Sequence, residues 1–478
     1  MSGPAAGLQR GMGLRTVTST STGLAFAAIE YLAAAGLLVY VAGSLAWVAV
    51  LVAGLLALLA WGFFGELCGL FPTAAAIRLY MARSMDDRIA LSVTFSYMST
   101  IVLVLAADAY IVGEAFTHVT GLPSWATGLV IAALLGIATL SNLRGVQVAG
   151  RVQDIATYAV IAATLVLGVA ALAHHKTAAS RAADLARAHH GPGSFITAVA
   201  LGVLLYSAFE WVTTNAEEVR DLRLIPRGML LTLGILALVC ALVSTGMGRL
   251  LSHDELGSAY PQLFLGRAAL GQTGYILMCV VTLVTAINTF NGGFITASRF
   301  IYATAREGSL PPVFARLNTN AVPWVPVLLL AVLSFLAAIA VAATGEFQLL
   351  LSTGAALESA IYAVAGFCVW RLRRRLPAAE RPFRVRGAGV LTWVGIVVFG
   401  VLALVSSVQV DNKTNPAPLA VILIVLAAAA FYVLAVLPGV RAAAEAKRAS
   451  VGPRRRRPPP GAGSALLPVA PVPALEEV

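Results

Sequence analysis

Long apolar stretches, each close to the length of a membrane-spanning helix, recur along almost the whole chain. A bilayer core needs about 20 consecutive apolar residues in a helix that crosses it. Twelve stretches come near that length, at residues 18–41, 45–66, 89–112, 125–140, 155–173, 195–214, 228–247, 274–297, 322–343, 347–370, 390–410 and 419–437. The pattern therefore predicts an all-α membrane protein with about 12 transmembrane helices.

Composition supports a membrane protein and changes how the charge is interpreted. Of 478 residues, 59% are hydrophobic and only 12% are charged, which excludes a soluble multidomain enzyme. The net charge of +11 would suggest nucleic acid in a soluble protein. With the N-terminus inside, however, 27 of the 33 basic residues fall in segments on the inner side. This bias predicts a multi-pass protein of the cell membrane with both termini cytoplasmic, and no nucleic acid partner.

The sequence gives no sign of a metal or cofactor site. The four cysteines lie within or at the ends of predicted spans and lack metal-ligand spacing; they are Cys68, Cys240, Cys279 and Cys368. We expect small buried hydrophobes there, and no cofactor. Residues 438–478 are basic and proline-rich, and we expect a disordered cytoplasmic tail that contacts membrane lipid.

Four acidic residues lie inside predicted spans and away from the span ends, namely Glu30, Asp108, Glu210 and Glu358. A charge at the bilayer centre costs about 2.5–3.5 kcal/mol, so an ionisable residue there suggests a functional site. Unpaired carboxylates suit a cationic substrate or proton carriage, and Glu30, Glu210 and Glu358 are our candidates for proton coupling. The alternative is a protonated carboxyl that bonds a backbone carbonyl. Hydroxyl residues 16–22 either begin the first helix or line an inner vestibule.

Several motifs occur in a characteristic order and spacing. They are the segment 206–211 (YSAFEW) with 215–221 (NAEEVRD) and 225–227 (IPR), then 66–72, 142–146 (NLRGV), 298–311 and 381–384 (RPFR). Together they resemble the amino acid–polyamine–organocation permeases over about residues 13–437. The resemblance implies a secondary transporter with a LeuT-type fold, rather than an enzyme or a channel.

That fold consists of two inverted five-helix repeats and two further helices, with the first and sixth helices broken at the midplane. The resemblance implies this division: a cytoplasmic tail at 1–15, a first repeat at 16–173, an extracellular loop at 174–194, a second repeat at 195–370, a cytoplasmic loop with helices 11 and 12 at 371–437, and the tail at 438–478. Substrate binds between the repeats in such proteins. The matching positions are Ala27, Ala28, Ile29, Glu30, Tyr31, Tyr206, Ser207, Ala208, Phe209 and Glu210, with Asp108 about one turn away on helix three.

This sequence departs from the family pattern where the substrate should bind. The glycines that let backbone amides surround a carboxylate in the first helix are missing at residues 27–31, and Ala208 replaces a glycine in the sixth. We therefore expect transport of amino acids, especially cationic ones, or of organic amines. A polyamine or diamine carrier and an amino acid–amine exchanger remain alternatives.

Coupling is left open by the sequence. Some proton-coupled members of the family that this sequence resembles carry a lysine on the fifth helix at the position that is Val160 here. The absence of the lysine argues against that mechanism of coupling. Exchange against a counter-substrate and proton symport are both compatible with the remaining residues.

Overall fold

The computed structural model describes residues 12–26, 30–73, 76–145, 150–174, 192–385, 387–410 and 413–450. Its helices are α1 (Leu14–Ala25), α2 (Glu30–Ala42), α3 (Ala46–Leu70), α4 (Ala76–Ser84), α5 (Asp87–Thr120), α6 (Ala126–Leu143), α7 (Gly150–Leu172), α8 (Pro192–Leu205), α9 (Leu224–Leu250), α10 (His253–Leu256), α11 (Pro261–Arg306), α12 (Trp324–Thr344), α13 (Phe347–Arg375), α14 (Ala388–Val408), α15 (Ala417–Phe431) and α16 (Leu437–Ser450). Shorter elements are the 3₁₀ segments Gly43–Leu45, Phe209–Glu218 and Pro312–Ala315, a π-helical turn at Tyr432–Val436, and the paired strands β1 (Gln409–Val410) and β2 (Lys413–Thr414).

The described chain contains eleven helical segments long and apolar enough to cross a membrane. The sequence predicts about 12, and the difference arises because Tyr31–Leu70 is one segment that includes α2 and α3. Large apolar side chains such as Leu55, Ile137 and Leu404 are more than half exposed on the bundle surface. In a membrane these side chains face lipid, so the prediction of an all-α transmembrane bundle is confirmed.

The first and sixth predicted spans are both interrupted. In the first, α1 ends at Ala25 and α2 begins at Glu30. In the sixth, α8 ends at Leu205 and the chain continues after Ala208 as the 3₁₀ segment Phe209–Glu218. The two interrupted spans contact each other, because α1 packs against that 3₁₀ segment and α2 packs against α8. Non-helical backbone at this depth is tolerated only where it is buried in protein or lines a cavity.

A sharp bend divides α11 into a short first part and the eighth span. Gly271 has φ 62° and ψ −146° inside the helix, a conformation that glycine adopts without a Cβ clash. Close to the bend, a Cβ on Gly274 would lie 2.1 Å from the carbonyl oxygen of Gly266. Glycine at these positions therefore lets the two parts of α11 pack against each other.

At the C-terminus, the helical structure continues into the segment for which we expected disorder. Helix α16 reaches Ser450, and its RAAAEAKRAS sequence is rich in residues with high helix propensity. The Arg441 guanidinium near its start pairs with Asp87 at the beginning of α5. Residues 451–478 lie outside the described chain.

Candidate functional site

A central cavity of about 40 Å³ lies where the two interrupted spans meet α5, α11 and α13. Its lining is mostly apolar, with a few hydroxyls and one acidic side chain. The lining residues are Leu24, Ala25, Tyr31, Thr100, Ile101, Val104, Leu105, Leu204, Ser207, Ala208, Trp211, Thr289, Gly292, Gly293 and Glu358. A concave site of this kind, with a small number of placed polar groups, is typical of small-molecule binding.

The acidic side chain of the cavity belongs to a cluster of three polar groups. Glu358 on α13 is 1% exposed and Glu210 on the sixth span is fully buried. The Tyr362 hydroxyl donates a hydrogen bond of 3.3 Å to Glu210 Oε2, and the Glu358 carboxyl lies beside both groups. Oxygen Oε1 of each glutamate has no hydrogen-bond partner among the described residues. Buried acceptors without a donor are costly, so this cluster is suited to a ligand that brings donors or to a proton.

The chain segment before Glu210 adopts an unusual backbone conformation. Ala208 has φ 65°, in the left-handed region that favours glycine. On either side of it, the Tyr206 hydroxyl donates to the Val50 carbonyl at 3.0 Å, and Ser21 Oγ donates to the Phe209 carbonyl at 2.9 Å. These bonds to α3 and α1 hold the interrupted span in position and satisfy one of its free carbonyls.

The structure brings some of the predicted site residues to the cavity and not others. Tyr31, Ser207, Ala208 and Glu358 line it. The residues Tyr206, Phe209, Glu210 and Asp108 are buried but are not among its lining residues. Ala27, Ala28 and Ile29 lie outside the described chain, and so does the side chain of Glu30, the first residue of α2.

Asp108 and Tyr31 each occupy a definite place near the cavity. Asp108 lies one helical turn beyond the lining residues Val104 and Leu105 on α5. The Tyr31 hydroxyl contacts Thr164 Oγ1 at 3.2 Å on α7, one turn after Val160. A hydroxyl pair that joins α2 to the fifth helix therefore lies one turn from Val160.

A larger vestibule of about 500 Å³ adjoins the central cavity on one side. Ile101 and Trp211 line both spaces and therefore separate them. The Trp211 ring packs edge-on against Tyr97 with ring centroids 6.2 Å apart. Charged residues of both signs line the vestibule, namely Arg78, Glu218, Arg299 and Glu307.

The hydroxyl run of the first span is not part of this vestibule lining. Ser21 bonds the sixth span as described above, and Thr22 Oγ1 lies 3.0 Å from Thr232 Oγ1 on α9. These two hydroxyls therefore join helices rather than line a path for substrate.

Sequence reasoning expected the third span, α5, to line the site but did not name the residues that do so. Thr100, Ile101, Val104 and Leu105 follow the i, i+1, i+4, i+5 spacing of one helix face, and Asp108 continues it. That spacing, followed back from Asp108, is a signal that could have identified them. On α11, the lining residues Thr289, Gly292 and Gly293 form a polar, small-residue stretch that can be recognised in the sequence.

Comparison with known proteins identifies the family. The family model described as "Amino acid permease" matches residues 12–429. The chain belongs to the amino acid permease family. The permease is 23% identical to an uncharacterized amino acid permease of Bacillus subtilis (strain 168), over 75% of this chain and 82% of that protein. It is 27% identical to a probable GABA permease of Pseudomonas aeruginosa, over 76% of this chain and 79% of the relative.

Further similarities agree with this assignment. An L-asparagine permease 1 of Mycobacterium bovis is 26% identical over 80% of the permease and 81% of its own length. Among solved structures, a mutant of the Eremococcus coleocola manganese transporter superposes with a TM-score of 0.60 at 14% identity, covering 93% of the permease and 98% of that chain. At that identity the likeness concerns the fold alone. The permease is a multi-pass membrane transporter of the LeuT-type fold and not an enzyme, as the sequence predicted.

Proposed function

We propose that this permease carries amino acids, and cationic ones above all, or organic amines across the cell membrane. The observation that carries the proposal is the Glu358 carboxyl, which lines the central cavity with Oε1 lacking a partner among the described residues. An ammonium group provides both the missing donors and the opposite charge. Cationic amino acids are the favoured cargo, and diamines or amine exchange are the alternative.

The names of the relatives favour a second candidate, a zwitterionic amino acid. GABA and L-asparagine appear in the names of two relatives, and each molecule carries an ammonium group. Such a substrate would place its ammonium group at Glu358 and its carboxylate toward the N-terminal end of α2, where free helix amides favour an anion. The two candidates differ in whether the substrate must carry a second cationic group in addition to the ammonium group at Glu358.

Proton coupling is proposed to involve the pair Glu210 and Glu358. Two adjacent carboxylates in a low-dielectric interior repel each other, so the pair retains a proton in the absence of a cation. Glu30 is a further candidate because it begins α2 directly after the interruption of the first span. An ammonium group that binds at Glu358 would favour release of the shared proton.

Alternating access is proposed to proceed through the vestibule. Its wall includes Arg78, Arg299 and Glu218, which lie in segments predicted to be on the cytoplasmic side, as are both termini. This placement supports an inward-facing conformation, in which Trp211 and Ile101 would lie between a bound substrate and the vestibule. Rocking of one repeat against the other would then expose the cavity to the opposite side.

A thermal-shift screen of the purified permease tests the substrate class, because a bound ligand stabilises the folded state by mass action. We expect L-lysine, L-arginine or a diamine to raise Tm more than L-leucine, and Glu358→Gln to remove the shift. The matched control is Glu346→Gln, an exposed glutamate just before α13. Shifts with L-leucine equal to those with cationic ligands, or shifts that survive in Glu358→Gln, would contradict the proposal.

A further inference from the structure

Two adjoining cavities away from the central site have complementary character. The first, the apolar groove, has a volume of about 250 Å³ and lies between α5, α11, α12 and the π-helical turn, where its walls include Phe95, Val102, Phe314, Leu330, Leu333 and Tyr432. The second, the charged pocket, has a volume of about 320 Å³ and is lined by Arg78, Asp87, Glu307, Ser309, Arg441 and Glu445. Neither contributes a wall to the central cavity.

The charged pocket lies directly beside the apolar groove. Tyr432 lines the groove, and its hydroxyl donates a hydrogen bond of 2.9 Å to the carbonyl of Ser309, which lines the pocket. The next residue, Leu310, lines the groove. The two spaces are therefore close enough for the polar and the apolar part of a single ligand.

The charges of the pocket are arranged with the basic groups around one shared carboxylate. Arg78 is 5% exposed, and its Nη2 donates to Asp87 Oδ1 at 2.7 Å and to Ser309 Oγ at 3.2 Å. Arg441 pairs with the same Asp87. Nitrogens Nε and Nη1 of Arg78 are buried and have no acceptor among the described residues. Two guanidiniums on one carboxylate leave positive charge and free donors, which suit an anion.

Negative charge is present in the same pocket. Glu307 follows the end of α11 and Glu445 lies on α16, and both line the space that holds the two arginines. A simple anion would be repelled by these two carboxylates. A ligand that carries a phosphate and an ammonium group matches both sets of charges.

We propose that the charged pocket and the apolar groove together bind a phospholipid whose headgroup contains a phosphate and a primary ammonium group. The phosphate contacts Arg78 and Arg441, the ammonium group contacts Glu307 and Glu445, and one acyl chain fills the groove. Leu329 and Leu333 of the groove are 37% and 43% exposed on the bundle surface, so an acyl chain can enter from the bilayer. A quaternary ammonium lacks N–H donors, and a glycerol headgroup lacks the positive charge, so the corresponding lipids fit less well.

Such a lipid would contact the wall of the vestibule. Met98, Phe300 and Thr304 line both the groove and the vestibule, and Arg78 and Glu307 line both the pocket and the vestibule. The lipid would therefore stabilise the vestibule wall without entering the substrate path.

The test measures thermal unfolding of delipidated, detergent-purified permease after addition of dioleoyl-phosphatidylethanolamine, phosphatidylcholine or phosphatidylglycerol. We expect the ethanolamine lipid to raise Tm with saturation and the other two to give a smaller shift. Leu333→Trp fills the groove and Arg441→Ala removes a phosphate contact, and both should lose the specific shift. The matched controls Leu336→Trp, on the same helix, and Arg316→Ala, an exposed arginine after α11, should keep it, since neither residue lines the two cavities.

Three outcomes would overturn the proposal. Equal shifts with all three lipids would indicate a general effect of bilayer lipid. If Leu333→Trp shows the same rise in Tm at the same lipid concentration as wild type, the groove does not bind the acyl chain. This outcome holds even if Arg441→Ala fails to fold. An equal shift with soluble O-phosphoethanolamine at the same concentration would indicate a headgroup site that does not require the acyl chain.

Discussion

The Tyr362 hydroxyl donates to Glu210 Oε2 at 3.3 Å, and this bond joins α13 to the interrupted sixth span. Both residues are fully buried. The hydroxyl supplies a donor to a carboxyl whose other oxygen has none among the described residues. Through this bond, the helix that places Glu358 in the cavity is connected to the acidic residue behind it.

Replacement of Tyr362 by phenylalanine should therefore impair both stability and transport. Loss of a donor to a buried carboxyl costs about 1–3 kcal/mol, so Tm should fall. Uptake in proteoliposomes should decrease because Glu210 and Glu358 lose a common partner. Tyr158→Phe, at a half-exposed tyrosine, is the control.

The double variant tests whether the hydroxyl acts through Glu210. In a Glu210→Gln background, Tyr362→Phe should have a much smaller effect on uptake than it has alone, since residues in contact are not additive. Equal losses in the two backgrounds would argue that Tyr362 acts elsewhere.

Replacement of Ala208 by glycine should stabilise the permease. Alanine with φ 65° pays a steric cost of about 1–2 kcal/mol that glycine avoids, although glycine also increases the entropy of the unfolded chain. We expect a net gain of about 1 kcal/mol in the free energy of unfolding, visible as a higher Tm. Ala237→Gly, within α9, should lower Tm instead because of helix propensity. A lower Tm for both variants would contradict this account.

How far the sequence predicted this molecule differs between fold and site. The spans followed from the apolar pattern, because each depends on residues close in sequence, and the interruptions of the first and sixth helices were implied by the family resemblance. Glu210 and Glu358 were recognised as unusual, but their adjacency depends on contact between helices 148 positions apart in the chain. Likewise, the spacing of the motifs did not reveal that Ala208 adopts a left-handed conformation. Pairings of this kind are set by packing and not by local pattern.

The ion-pair cluster around Glu66 provides another example of such packing. Glu66 at the end of α3 is 2% exposed and accepts from Arg373 Nε at 2.7 Å and from the Val385 amide at 3.1 Å, with Arg381 Nε 3.2 Å away. The RPFR motif and the exit of the second helix were both noted in the sequence, without any indication that they meet.

Arg373→Ala should consequently destabilise the permease strongly. Removal of one partner of a buried ion pair costs about 3–5 kcal/mol, because it leaves a charge without its counterion. Arg381 remains beside Glu66 and should reduce this cost. Thermal unfolding or chemical denaturation would measure the loss. Arg375→Ala, two residues further along at an exposed position, should change stability little. Equal stability of the two variants would contradict a structural role for the cluster.

Glu307 should give the permease a definite dependence of stability on pH. Burial raises the pKa of this carboxyl above its ordinary value, although Arg78 nearby acts in the opposite direction. The folded state therefore binds a proton more readily than the unfolded state, and stability contributed by this group falls as pH rises from the unfolded pKa through the folded pKa. Glu307→Gln should raise the free energy of unfolding at neutral pH relative to wild type. It should also make the fall of stability with rising pH less steep above the ordinary glutamate pKa. Glu346→Gln should leave that slope unchanged, and an identical slope in wild type and Glu307→Gln would refute the assignment.

Trp211 should control access from the vestibule to the central cavity. Because Trp211 and Ile101 line both spaces, Trp211→Ala should join the 500 Å³ vestibule to the 40 Å³ cavity. A cysteine placed at Thr100 would then react faster with a membrane-impermeant thiol reagent added from the vestibule side than the same cysteine beside the intact tryptophan. The comparison uses a background in which Cys279, the partly exposed native cysteine, is replaced by serine. Trp324→Ala, at an exposed tryptophan on α12, is the control for loss of a large ring, and equal labelling rates with and without Trp211 would show that this side chain does not separate the two spaces.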